Sequence, residues 1–249
     1  MEYGEKNRDV ILFLHGYSDS AKTFEPLQEY LEKKYRVIIP DLPMIRRKTV
    51  SYDLQSLSTF VNEFVTQIGL TRFILCGFSF GGLVATDFAY RYPNKVKKLF
   101  LLNSVPRFLA PEMLDKLMTR LEPKEIPHFI YPLFAFLKTS KLGQAILPKT
   151  NRLRLEESIK NIRLKPVAVL GTFYEVMWHN IIGDSWSKRV KKYNQMSMPK
   201  IVVLFKDDEL ISYQKYATKL KRSGVEIMSF DKGGHGSAPE YWENLKTLF

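Results

Sequence analysis

A chain of 249 residues with 45% apolar side chains can build one α/β domain with an insertion, or two small domains. Its formal net charge of +12 raises nucleic acid, anionic membrane and acidic substrates as partners, but no nucleic-acid motif accompanies the charge, so nucleic acid is not expected. The single cysteine, Cys76, excludes an intramolecular disulfide, no apolar run reaches the roughly 18 residues of a membrane span, and the charged start, Met1 to Asp9, lacks a signal-peptide apolar segment, so the expected location is cytoplasmic.

Val10-Ile11-Leu12-Phe13-Leu14 reads as a buried strand. It ends in His15-Gly16-Tyr17-Ser18, where the glycine lets the backbone turn and expose an N–H at the sheet edge. Phe24, Leu27, Tyr30 and Leu31 recur at helical spacing within 23–34. Tyr35-Arg36-Val37-Ile38-Ile39-Pro40 is the next strand, closed by Asp41-Leu42-Pro43. Residues 44–52 carry Arg46, Arg47 and Lys48 and no pattern, so they read as a loop. Leu54, Leu57, Phe60, Val61, Phe64, Val65 and Ile68 mark an amphipathic helix, with Gly69 just past its end. A strand over 73–76, a tight turn and a helix over 83–92 follow, then a strand over 96–102 with Asn103 at its tip.

Between 105 and 198 this alternation stops. Helical stretches over 111–121 and 152–162 are broken by Pro123, Pro127, Pro132, Pro148 and Pro166. From Arg107 to Met198 there are 16 Lys and Arg against 8 Asp and Glu, so most of the surplus charge belongs to this block. Its aromatic stretch over 126–137 is too short and proline-rich to span a bilayer. That stretch suits packing on the core, or the wall of a pocket for an apolar group. Lys138, Lys141, Lys149, Arg152 and Arg154 behind it would suit anionic headgroups in a peripheral membrane contact, and a solvated basic face accounts for them equally well. The α/β rhythm resumes with a strand over 199–205, a helix over 213–221, a strand over 225–230 and a helix over 239–249.

Strand–helix alternation without hairpin signals predicts an α/β fold: a mostly parallel sheet covered by helices on both faces. The core is expected over 1–104 and 199–249, with a helical cap or lid inserted at 105–198. Such sheets place their sites at the carboxyl edge, where His15, Asp41, Ser79 and Asn103 would gather.

Chemistry centres on Gly77-Phe78-Ser79-Phe80-Gly81. A serine at a sharp strand-to-helix corner crowds the residues two places away, so glycines stand there, and the helix that follows aims its N–H groups where negative charge would grow. A serine hydroxyl needs a base, and a carboxylate to orient that base. His235, in a glycine-rich loop after the last strand, is the expected base. Asp208 is the expected acid, because Leu210 and Ile211 would anchor its loop; Asp207 is the alternative. His15 is given a shaping role in the loop before Tyr17, and His128 and His179 are read as packing or surface residues.

With Ser79, Asp208 and His235 in that order, the sequence resembles a serine hydrolase of the α/β-hydrolase superfamily, of the esterase- and lipase-like kind with a helical cap. His15-Gly16, Gly77, Ser79, Gly81-Gly82, Tyr92-Pro93 with Val96, Asp208 and Gly234-His235 carry the likeness, on both sides of the cap. The resemblance implies an oxyanion hole from the backbone N–H groups of Tyr17 and Phe80. Three departures stand out. The loop from Asp41 to Lys48 lacks the family's glycines, Phe205 replaces a usual glycine before the acid loop, and the first hairpin is absent, which implies six strands. The expected activity is hydrolysis of a carboxylic ester, or a thioester, of an apolar acyl or aryl group through an acyl-serine intermediate, with no metal or organic cofactor. Aminopeptidase, carbon–carbon bond hydrolase and acyltransferase remain alternatives on this fold, as does a non-catalytic ligand-binding protein. The oligomeric state stays open.

Overall fold

The structure is a computed structural model and describes residues 1–4, 9–43, 52–108, 171–172, 176, 185–236 and 238–249. Most of the span 105–198, with His128, His179 and the basic residues from Lys138 to Arg154, lies outside the described residues, as does most of the loop 44–52.

An unbroken apolar run is stable as a strand only when both of its faces are covered. Such runs form or dominate β2 (Val10–Leu14), β3 (Arg36–Ile38), β4 (Phe73–Phe78), β5 (Val96–Leu102, after its two lysines) and β6 (Lys200–Phe205), while β7 (Ile227–Phe230) is a half-exposed edge strand. A seventh strand, β1 (Glu2–Tyr3), joins them, where six were expected. It is two residues long and has no pattern of its own. Its pairing partner, Val37 and Ile38 of β3, defines it. The strand order is β1-β3-β2-β4-β5-β6-β7, with every pair parallel except β1 with β3.

Alternation along each strand sorts the side chains into two layers. Leu12, Leu14, Leu75, Leu99, Leu101, Val202 and Leu204 face one way. They meet the buried sides of α2 (Leu54–Gln67), α3 (Phe80–Arg91), α4 (Trp186–Gln195) and α5 (Tyr213–Arg222). Ile11, Phe13, Cys76, Phe78, Phe100, Leu102, Val203 and Phe205 face the other way, against Phe24, Leu27, Leu31 of α1 (Gln28–Leu31) and Tyr241, Trp242 and Leu245 of α6 (Pro239–Lys246). This second layer is largely aromatic. Phe24 stands 4.5 Å from Phe13 and Tyr241 4.7 Å from Phe205, between ring centroids. Cys76 is fully buried in β4, and burial pushes its thiol up.

Local chemistry sets the helix ends. Asp53 caps α2 by accepting the Ser56 N–H at 2.6 Å, and Gly69 follows that helix at φ +73°. The helix expected over 23–34 divides instead into a 3-10 segment, Ala21–Leu27, and the short α1, because Pro26 has no N–H to donate. The helix expected from 83 begins at Phe80, directly behind Ser79. Helix α4 falls inside the span assigned to the cap from sequence, yet its Val190 and Tyr193 sit in the same buried layer as α2 and α3. Among the described residues no helix is long and apolar enough to cross a membrane.

Candidate active site

Three strand ends converge at the carboxyl edge of the sheet. At the first, β4 runs into α3 through Ser79, whose backbone is forced to φ +50° and ψ −119°. Close approach explains the flanking glycines. A Cβ on Gly77 would come within 2.6 Å of the Gly81 carbonyl and the Gly82 Cα. A Cβ on Gly81 would meet not Gly77 but the end of β2, with the His15 carbonyl at 2.5 Å. The corner is thus wedged between its own helix and the neighbouring strand, which holds a serine in a region that non-glycine residues avoid.

The second end is that of β6. Asp208 is 6% exposed, and both of its oxygens are fully engaged. Oδ1 accepts the N–H groups of Leu210 and Ile211, each at 2.8 Å. Oδ2 accepts from Asn103 Nδ2 at 2.5 Å and from His235 Nδ1 at 2.8 Å. Burial alone would raise this carboxyl. The His235 ring, the Ile211 N–H and the Asn103 amide outweigh it and hold the group below the usual carboxylate range, so Asp208 is ionised at neutral pH.

The third end is that of β7. The loop behind it carries His235 with the ring 5.1 Å from that of Phe78, so the imidazole rests on the aromatic layer. Because Asp208 can only accept, Nδ1 carries the proton and Nε2 is left to accept. Nε2 lies 2.9 Å from Ser79 Oγ. The loop owes its shape to the acidic residues flanking Asp208. Asp207 accepts the N–H groups of Gly233 at 3.2 Å and Gly234 at 2.8 Å, and Glu209 accepts the His235 N–H at 3.2 Å. Asp207, the alternative acid from sequence, therefore holds the loop backbone, and it is Asp208 that reaches the ring.

His15 is buried and both of its nitrogens are used. Nε2 accepts the Leu42 N–H and Nδ1 donates to the Gly16 carbonyl, each at 2.9 Å, tying the end of β2 to the turn after β3. Gly16 lies against the elbow: a Cβ there would stand 3.6 Å from Ser79 Cβ. Tyr17 follows, its ring 6.1 Å from that of Phe80, and burial pushes its phenol well above the ordinary range. Asp41, also expected at this edge, accepts the Ala21 N–H at 2.9 Å and does not touch Ser79, Asp208 or His235. Among the described residues no three His, Cys, Asp or Glu side chains gather as metal ligands would.

Sequence reasoning places Asn103 at this edge without giving it a partner, and it misses Ser104. Their one signal is position: they directly follow β5, the strand between those that lead to Ser79 and to Asp208.

Comparison with known proteins agrees in kind. The family model described as alpha/beta hydrolase fold matches residues 9–240. A serine hydrolase-like protein from Mus musculus is 30% identical over 122 residues, covering 47% of this chain and 39% of that one. A pimeloyl-[acyl-carrier protein] methyl ester esterase from Legionella pneumophila (strain Corby) is 34% identical over 109 residues, covering 44% and 43%. The chain thus spans about two fifths of the length of the curated relatives it matches. Among solved structures, one from work on carboxylesterases of Nitrososphaera gargenis superposes with a TM-score of 0.74 at 16% identity, over 100% of this chain and 92% of that one. A thermophilic esterase from Thermogutta terrifontis gives 0.72 at 17%, over 100% and 89%. At such identities the structural likeness is one of fold.

Proposed function

The chain belongs to the alpha/beta hydrolase fold family, and from that premise we propose that it is a serine hydrolase of carboxylic esters acting through an acyl-serine intermediate. One observation carries the reading: the relay in which Asp208 Oδ2 stands 2.8 Å from His235 Nδ1 and His235 Nε2 stands 2.9 Å from Ser79 Oγ. In this proposal Ser79 Oγ attacks the ester carbonyl while His235 Nε2 takes its proton. Asp208 keeps Nδ1 protonated and stabilises the imidazolium that forms. The N–H groups of Tyr17 and Phe80 receive the oxyanion, and losing one such donor costs on the order of 100- to 1000-fold in rate. His235 then protonates the departing alcohol. Water enters by the reverse steps and frees the acid.

For the substrate we propose an apolar acyl or aryl ester. The aromatic stretch over 126–137 supports this, as do relatives named for the methyl ester of a carrier-bound acyl chain. A thioester would suit the same machinery. The test is covalent labelling by a fluorophosphonate, with turnover of p-nitrophenyl esters of rising chain length, in wild type and Ser79→Ala. Wild type is expected to label and to favour longer or aryl chains, with both activities lost in the variant. A wild type that neither labels nor turns over any ester would point to a ligand-binding protein on this fold.

A further inference from the structure

Nucleophile, acid and histidine stand on loops after three different strands, so something must set them against one another. Strand β5 lies between β4 and β6, and its tip touches all three loops. The Ser79 N–H donates to the Leu102 carbonyl at 2.9 Å, and Ser104 Oγ donates to the Ser79 carbonyl at 2.7 Å. Asn103 Nδ2 donates twice, to Asp208 Oδ2 at 2.5 Å and to the Gly234 carbonyl at 3.1 Å, one residue before the histidine. The Asn103 N–H donates to the Val203 carbonyl of β6 at 2.9 Å. Asn103 and Ser104 are both fully buried.

Asn103 holds its place against two costs. Its φ of +43° is a region that asparagine tolerates better than most residues. Its Oδ1 has no hydrogen-bond partner among the described residues, an expensive omission for a buried atom. The amide is kept for its donors. Ser104 is equally confined, since a Cβ on Gly82 would strike its hydroxyl.

We propose that Asn103 and Ser104 are positioning residues for the reaction proposed above, and the inference rests on that reading. Asn103 shares Asp208 Oδ2 with the imidazole N–H. It thereby fixes the direction of the carboxylate edge that faces the ring. Through Gly234 it binds the histidine's own loop, so acid and base keep a common register. Ser104 holds the carbonyl of the strained serine and ties the nucleophile to the same strand tip.

The test uses Asn103→Gly, Asn103→Asp and Ser104→Ala. Glycine removes the donor and accepts the backbone angle. Aspartate keeps the size and that tolerance but replaces a donor with an acceptor. The measurements are kcat and KM on a p-nitrophenyl ester, and the low-field proton resonance of the His235 Nδ1–H against Asp208. Asn103→Gly is expected to lower kcat by about 10- to 100-fold with KM within about twofold, and to shift or broaden the resonance. Asn103→Asp is expected to lose more. Ser104→Ala should lose roughly tenfold or less and leave the resonance in place, since it acts on the nucleophile alone. Rates within about twofold of wild type in all three variants, with the resonance unmoved, would overturn the proposal. So would a loss that follows the unfolded fraction while the folded fraction labels at the wild-type rate. Should wild type neither label nor turn over an ester, the hydrolase reading fails by itself. The resonance in Asn103→Gly against wild type then still decides whether Asn103 holds the Asp208–His235 pair.

Discussion

The turn bearing Ser79 and the loop bearing His235 approach to 2.9 Å at their facing atoms, yet they are held by different forces. Steric exclusion shapes the turn, and the Ser104 hydroxyl pins its carbonyl. Glycine hydrogens at 77 and 81 admit backbone from the following helix and from β2, and no other side chain fits. Side-chain hydrogen bonds hold the loop. Asp207, Glu209 and Asn103 grip the backbone of 233–235, where Gly233 and Gly234 both take positive φ. A sterically fixed corner fails when something is added. A tethered loop fails when something is removed.

The largest effect is expected from Asp208→Asn, at the bond between the ring on the tethered loop and the end of β6. It keeps the shape but removes the charge that fixes the ring tautomer, and we expect kcat to fall by roughly three to four orders of magnitude on a p-nitrophenyl ester. The same variant has a stability signature. The folded carboxyl lies below its unfolded value, so its contribution is complete above about pH 4 and is lost as pH falls through the folded value. The gap in urea midpoint between wild type and Asp208→Asn should be widest at neutral pH and close in acid. A gap of constant width would contradict the account.

Next in size is an addition on the corner. Gly81→Ala drives a methyl into the Leu14 and His15 carbonyls and should cost at least about 1–3 kcal/mol in a urea titration. An unchanged midpoint would show that the corner has room. Smaller again is Asp207→Ala. It releases two backbone N–H groups and should lower kcat roughly tenfold while Ser79 still takes the fluorophosphonate label. If labelling fell as far as in Asp208→Asn, the division between acid and tether would be wrong. The smallest effect is expected from Lys206→Ala. It breaks an exposed pair with Asp231 beside the same loop and should leave rate and midpoint at wild-type values.

The two mechanisms also differ in how openly the sequence displays them. Steric demands are local, so Gly77 and Gly81 around Ser79 could be read directly, with the apolar strand ahead of them. That Ser79, Asp208 and His235 would come together was legible because each follows a strand. Tethers are not local. Nothing near Asn103 in the chain announces Asp208 or Gly234, since their meeting depends on β5 lying beside β6. The sequence favours Asp208 over Asp207 because Leu210 and Ile211 would anchor its loop; Ile211 is buried and Leu210 is exposed, and it is the direction of each aspartate in the folded loop that separates a partner of the glycine N–H groups from a partner of the ring. Strand β1 was illegible for a related reason: two residues carry no periodicity.

The aromatic layer beneath the imidazole has an optical consequence. Phe78 supports the His235 ring on one side and meets Tyr241 at 6.0 Å on another, and Trp242 stands edge-on to Tyr241 at 4.8 Å. That indole lies in the first turn of α6, just past the histidine loop, buried among rings. A buried indole emits at longer wavelength when water reaches it, so with Trp178 and Trp186 replaced by phenylalanine the emission of Trp242 is expected to report any loosening of the aromatic layer beneath the His235 ring, with no substrate and no attached dye.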